Sequence, residues 1–145
     1  MGLDNFWQRV KSGSEETTEY ENVSYDGDDL PSEFLNEGLK SHGYFRGKVF
    51  ADLFSALVGD ISLTLYCDEN MSTEDIVYCY ERMAYAKDKL LADDGELWLE
   101  SFKNEEYDLR ESEYKDIYSY EEVLSFILMW EWYSQVEDIQ LYGWY

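Results

Sequence analysis

The chain has 145 residues, 45% of them hydrophobic and 18% aromatic, and carries a formal net charge of −22 from 33 acids and 11 bases. This length and apolar content predict one domain with a buried core, and the aromatic content excludes a disordered acidic tail. The charge disfavours binding to nucleic acid or to an anionic membrane and favours a basic protein partner.

The first third of the chain alternates short apolar segments with acidic ones. Residues 3–10, LDNFWQRV, carry apolar side chains at helical spacing, which predicts a short amphipathic helix. Residues 13–29 predict an acidic loop. Asp29 then caps a predicted helix that runs to about Ser41, and residues 42–47, HGYFRG, predict a turn region.

The middle of the chain contains the clearest periodic patterns. KVFADLFSALVG predicts a helix that Gly59 ends, and residues 60–68, DISLTLYCD, alternate in a way that predicts a strand. A long helix follows, which Ser72 or Thr73 caps. Its predicted inner stripe consists of Ile76, Cys79, Met83, Ala86 and Leu90.

The last third ends in a strongly apolar segment. Residues 96–118 carry a weaker helical pattern, and Ser119 opens a capping box with Glu122. VLSFILMWEWYSQV is apolar almost all round, so it is either the centre of the core or half of an interface, and we predict a homodimer through it. DIQLYGWY predicts a strand or a packed tail. Together these elements predict a mainly α fold with a small β element (α+β), a single compact acidic domain over residues 1–145.

No motif in the sequence indicates catalysis or cofactor binding. Cys67 and Cys79 lie outside any CxxC pattern, which predicts reduced thiols and no zinc site. His42 is the only histidine and has no evident nucleophile partner. The N-terminus lacks the apolar segment of a signal peptide, and no run of 18 apolar residues is present. We therefore expect a cytoplasmic protein that is not an enzyme, with no metal, cofactor or membrane partner.

The negative charge is concentrated in two blocks. Residues 12–39 contain nine acids and no base, and residues 93–122 contain twelve acids and three bases. Duplex DNA as long as a domain of this size, roughly 38 Å, carries about 22 phosphate charges. Helical carboxylates four residues apart lie about 5–6 Å from each other, close to the spacing of phosphates along one strand. The blocks therefore predict a surface for a basic, nucleic-acid-binding protein.

The candidate contact residues come from these two blocks. The partner-binding acids are Glu15, Glu16, Glu19, Glu21, Asp26, Asp28, Asp29, Asp93, Asp94, Glu105, Glu106, Asp108, Glu111, Glu113 and Asp116. The aromatic contacts set among them are Tyr20, Tyr25, Tyr107 and Tyr114, because tyrosine is enriched among residues that dominate interface energetics.

Residues 50–83, FADLFSALVGDISLTLYCDENMSTEDIVYCYERM, resemble the core of the podophage Ocr family. The matching features are the segment ADLFS, an acidic stretch with Asp60, Ile61 and Leu63, and a helix opening with Met71 and Thr73. The resemblance implies an acidic, mainly helical, dimeric DNA mimic made in an infected bacterium. Such a protein blocks host defence enzymes of the restriction or BREX type. By the same logic the target is a defence protein of restriction, BREX or CRISPR type.

Two other classes remain open at the level of the sequence. An immunity protein or antitoxin that neutralises a basic nuclease toxin also uses acids with aromatic anchors. It would concentrate its charge in one patch, whereas a DNA mimic would spread it along a ridge. An ordinary enzyme or scaffold from a halophile also fits the low lysine content.

Overall fold

The computed structural model of the chain describes residues 4–10, 20–23, 44–46, 48–59 and 70–144. Its strands are β1 (Asp4–Val10), β2 (Tyr20–Asn22), β3 (Tyr44–Arg46), β4 (Asn70–Met71) and β5 (Gln140–Trp144). Its helices are α1 (Lys48–Val58), α2 (Thr73–Leu91), α3 (Gly95–Glu105), α4 (Tyr107–Arg110) and α5 (Tyr120–Ser134), with a 3-10 turn at Lys115–Ile117. The mainly helical α+β class predicted from the sequence is confirmed.

The strands form one antiparallel sheet around β1. Strand β5 pairs with one edge of β1, so that Trp7 faces Leu141, and β4 extends the sheet beyond β5. Strands β2 and β3 both pair with β1 as well. Because a strand has only two edges, β2 and β3 must share the second edge end to end. The sheet therefore joins both ends of the chain.

The helix predicted for residues 3–10 is wrong, since residues 4–10 form strand β1. Asn5 and Trp7 are buried, whereas Phe6 and Gln8, which alternate with them, are only half-buried, and this is the period of a strand. A helix of eight residues is marginal in water, and aromatic residues are enriched in strands. Pairing with the distant β5 decided between the two patterns.

The core is built from aromatic side chains that join the sheet to α1 and α5. Trp7 stacks on Tyr133 with ring centroids 4.0 Å apart and meets Trp130 edge-on at 4.8 Å. Phe54 of α1 lies 5.3 Å from Trp130 by the same measure. Aromatic pairs in these arrangements stabilise a core beyond the area that they bury. The first strand and the last helix thus form one packed unit.

Helices α1 and α2 agree with the sequence patterns. The apolar stripe of α1 is buried, and Gly59 follows the helix with a φ of 94°, a left-handed conformation that favours glycine. Ser72 caps α2 through a complete capping box with Asp75. All five residues predicted for the inner stripe of α2 are buried. The two helices with the strongest local patterns are the ones that the sequence predicted best.

Helix α5 lies in the core rather than on the surface. The Ser119 side chain accepts a hydrogen bond from the Glu122 backbone N–H, which confirms its predicted capping role. The most buried side chains of α5 are Glu122, Val123, Phe126, Ile127, Met129, Trp130 and Tyr133. The remaining large apolar side chains, Leu124, Leu128 and Trp132, are half-buried. Of the two readings of this segment, the structure supports the core helix.

Short strands occupy parts of two segments that the sequence predicted to be a loop and a turn. Within the predicted acidic loop, residues 20–22 form strand β2, and within the predicted turn region, residues 44–46 form strand β3. These short strands carry few residues, so their pairing with β1 could not be read locally. DIQLYGWY contains strand β5, as one of its two readings required. The helix from Asp29, the strand at 60–68, Cys67 and His42 lie outside the described residues.

Candidate functional site

Most of the second acidic block is exposed on the segment from the α2–α3 turn to the start of α5. We call its exposed carboxylates the α3–α4 acidic surface. They are Asp93, Asp94, Glu96, Glu100, Glu105, Glu106, Asp108, Glu111, Glu113, Asp116 and Glu121. Only Glu122 of this block is buried. All eight candidate acids predicted in the block therefore lie exposed on one continuous stretch of chain.

The three bases of this stretch do little to neutralise it. Lys103 is almost fully buried, and its Nζ lies 3.2 Å from Glu100 Oε1. Arg110 Nε lies 3.4 Å from Glu111 Oε1 in an exposed pair. Lys115 donates to Asn104 Oδ1 at 2.5 Å. Exposed pairs are weak and salt-sensitive, so the surface keeps a large excess of negative charge.

The spacing of the acids differs from a regular lattice. Glu96 and Glu100 are the two acids of α3 that stand four residues apart, at the spacing that resembles successive phosphates. Of the others, Glu105 also lies on α3, Asp108 on the short helix α4 and Glu121 on α5, and the rest lie in the turns between the helices. The predicted phosphate-like spacing thus holds for one helical pair, while the remaining acids are divided among several helices and turns.

The first acidic block is represented by a single carboxylate among the described residues. Glu21 on β2 forms an ion pair with Arg9 of β1, with Arg9 Nε 2.9 Å from Glu21 Oε1. Both side chains are largely exposed, so this ion pair is weak and neutralises the Glu21 charge only in part. The candidate acids Glu15, Glu16, Glu19, Asp26, Asp28 and Asp29 lie outside the described residues.

The candidate aromatic contacts have different environments. Tyr107, at the start of α4, is 66% exposed, and the Arg110 guanidinium lies over its ring at 5.5 Å. Tyr20 on β2 is 43% exposed. Tyr114 is half-buried and packs against the core. Tyr25 lies outside the described residues. Tyr107 is thus the predicted aromatic contact that stands within the α3–α4 acidic surface.

A second exposed face, which was not predicted from the sequence, lies on α2. Glu74, Tyr78, Glu81, Tyr85 and Asp88 are exposed and follow each other at steps of three or four residues, so they line one side of the helix. These residues lie on the side of α2 opposite its buried stripe, so the helical period of the sequence could have identified them. The ring of Tyr85 meets that of Trp98 on α3 edge-on at 6.5 Å, which connects this face to α3.

A polar cluster fixes α2 against α5 behind this face. Tyr80 and Lys87 both donate hydrogen bonds to Glu131 Oε2, and Lys87 Nζ also lies 3.0 Å from the Tyr80 hydroxyl. The hydrogen bond from Lys87, followed by that from Tyr80, lowers the pKa of Glu131. The same contact with Glu131 raises the pKa of Lys87. Burial raises the pKa of Tyr80. All three side chains are hydrogen-bonded to one another, so the role of the cluster is to stabilise the packing of α2 against α5.

The described part of the chain contains neither a metal-binding cluster nor a membrane-spanning helix. Within it, no group of three or more histidine, cysteine, aspartate or glutamate side chains is arranged to hold a metal ion. Nor does any helix within these ranges have the length and apolar content needed to cross a membrane. Family models, curated proteins and solved structures were also compared with the chain, and none of them matches.

Proposed function

We propose that this chain is an acidic DNA-mimic inhibitor, encoded by a phage, that binds and blocks a bacterial defence protein at its nucleic-acid-binding surface. The observation that carries the proposal is the α3–α4 acidic surface, with eleven exposed carboxylates on residues 93–121 and three bases, one of them buried. The defence protein would be of restriction, BREX or CRISPR type.

Elementary electrostatics supports a basic partner. Both the net charge of −22 and this surface attract proteins that carry positive patches, and the attraction speeds their encounter. Nucleic-acid-binding proteins carry such patches because they neutralise phosphates. A surface that replaces phosphates with carboxylates competes for the same lysine and arginine side chains. Binding should therefore weaken steeply as salt increases.

The first experiment asks whether a nucleic-acid-binding protein is the partner. The immobilised chain is exposed to bacterial lysate at low salt, and bound proteins are identified by mass spectrometry after elution with salt. We expect a basic nucleic-acid-binding protein that duplex DNA displaces from the immobilised chain. A captured partner that remains bound in excess duplex DNA, or an affinity that is unchanged between 50 and 500 mM salt, would contradict the proposal.

The second experiment asks whether the α3–α4 acidic surface is the contact. Glu105, Glu106, Asp108 and Glu113 are changed together to the corresponding amides; Glu111 is left because it pairs with Arg110. We expect affinity for the captured partner to fall at least about tenfold and its salt dependence to become shallower. Stability should hold or rise, because exposed acids repel one another.

A variant with the same charge change serves as the matched control. Glu81, Asp88, Glu137 and Asp138 are also exposed but lie outside the α3–α4 acidic surface, so their amide variants raise the net charge equally. If both sets of four weaken binding to the same degree, only the overall charge matters, and the assignment of the surface fails. Circular dichroism confirms that each variant stays folded.

An immunity protein or antitoxin against a basic nuclease is the second candidate. One observation favours it: eleven exposed acids are concentrated in one stretch that includes the exposed Tyr107, which is the layout expected of a patch. Co-expression with the captured partner separates the two functions. An antitoxin rescues cells that the partner alone kills, whereas a DNA mimic relieves restriction of incoming DNA.

A further inference from the structure

A small open cavity lies where the end of α2, the start of α3 and the start of α5 meet. Its volume is about 320 Å³, near the lower limit for a ligand pocket and suited to one or two side chains. Leu90, Leu97 and Tyr120 provide apolar walls, and Asp93, Asp94 and Glu96 bring carboxylates to it. No lysine or arginine is among the residues that line this cavity. We call it the α2–α3 groove.

The apolar part of the groove is unusually open to solvent. Leu97 is 75% exposed, the highest value among the large apolar side chains that the structure describes. Leu90 beneath it is fully buried, and Tyr120 packs partly against the core. An exposed leucine next to a buried one leaves apolar surface that a partner side chain can cover.

The helix ends do not reverse the sign of the groove. The start of α3 contributes roughly half a positive charge, and the end of α2 contributes roughly half a negative charge at the same junction. These two contributions offset each other, so the three carboxylates decide the potential. Asp94 occupies the N-cap position of α3 without a side-chain hydrogen bond to it, so helix capping does not occupy its carboxylate.

We propose that the α2–α3 groove receives an arginine side chain from a basic segment of the partner. The methylene groups of arginine would pack on the exposed Leu97, and its guanidinium would meet the carboxylates and the Tyr120 ring. Arginine suits the groove better than lysine because its planar head both stacks on aromatic rings and binds carboxylates through two hydrogen bonds. This inference rests on the proposed function only for the claim that the natural partner is basic.

The test uses a synthetic probe, so it does not depend on the identity of the partner. Two capped 15-residue peptides carry arginine or lysine at the same alternating positions between glycines and serines. Each is titrated into the ¹⁵N-labelled full chain at 0.15 M salt, and amide shifts are followed by NMR. We expect the arginine peptide to shift residues 93–97 and Tyr120 most strongly, and the lysine peptide to bind more weakly there.

Two variants separate the groove from general attraction by charge. Leu97→Asn removes an apolar wall without changing the charge and should lower affinity for the arginine peptide about fivefold, equivalent to about 1 kcal/mol. Leu91→Asn is the matched control, because Leu91 is also exposed, at 59%, and does not line the groove. It should leave affinity unchanged.

The outcomes distinguish this proposal from the general function. Shifts spread evenly over all exposed acids, equal binding of both peptides, or equal losses for Leu97→Asn and Leu91→Asn would each overturn the arginine groove. The DNA-mimic function would be unaffected, because the lysate capture and the duplex DNA competition test it separately. Conversely, a groove that binds the arginine peptide stands even if no nucleic-acid-binding protein is captured.

Discussion

At the scale of single residues, the Tyr80–Lys87–Glu131 cluster shows how this acidic chain places its few bases. Lys87 joins α2 to α5 by pairing with a carboxylate that is itself half-buried. Changing Glu131 to Gln removes the ion pair, and we expect the free energy of unfolding at pH 7 to fall by about 1 kcal/mol. Chemical denaturation measures this difference.

The same change should alter the dependence of stability on pH. The folded-state pKa of Glu131 lies below its ordinary value of 4.5, so its contribution is complete above that value and is lost as pH falls through the folded pKa. The pKa of Lys87 is raised above 10.5, so its contribution persists until pH rises past that value. The difference between wild type and Glu131→Gln should therefore be constant near neutral pH and shrink in acid. A difference that stays unchanged from neutral pH into acid would contradict this role of Glu131.

At the scale of elements, the α2–α3 junction depends on a glycine. A Cβ built on Gly95 would lie 2.0 Å from the Leu90 carbonyl oxygen. This oxygen belongs to the backbone, so it cannot relieve the clash by a change of side-chain rotamer. Alanine is ordinarily favoured over glycine in a helix by about 1 kcal/mol, yet here we expect Gly95→Ala to destabilise by about 1–3 kcal/mol. Thermal unfolding measures the effect. Ser101→Ala, exposed on α3, is the control and should stay within about 0.5 kcal/mol. An unchanged melting temperature for Gly95→Ala would show that α2 and α3 do not approach so closely.

At the scale of the whole molecule, the open question is whether two copies associate. The homodimer predicted through α5 stays a prediction, but the structure reduces the number of α5 side chains that could form its interface. Trp130 is fully buried within one chain, so changing it would disturb the core rather than an interface. Leu124, Leu128 and Trp132 are half-buried, so they retain apolar surface that could meet a second copy.

Light scattering at micromolar concentration tests the dimer. We expect about twice the chain mass of 17.2 kDa, with association favoured by salt because two bodies of charge −22 repel each other. Leu128→Glu should produce a folded monomer, while Leu91→Glu, exposed at the end of α2, should not change the mass. A mass near that of one chain at every salt concentration would contradict the prediction.

The sequence by itself determined two kinds of feature: those that depend on residues a few positions apart and those that depend on the overall composition. Helices α1 and α2, the Ser72 cap and the buried stripe of α2 follow from contacts three and four residues apart, which a single segment contains. The net charge and the exposure of the second acidic block follow from composition, because unpaired acids are rarely buried. The tertiary structure alone decided that residues 4–10 form a strand, since β1 acquires its partner β5 only when the two ends of the chain meet. It also decided that Arg9 pairs with Glu21, that Lys103 is buried, and that Leu97 and Tyr120 line the same groove. Each of these features depends on contacts between residues that only folding brings together. No local period in the sequence encodes such contacts.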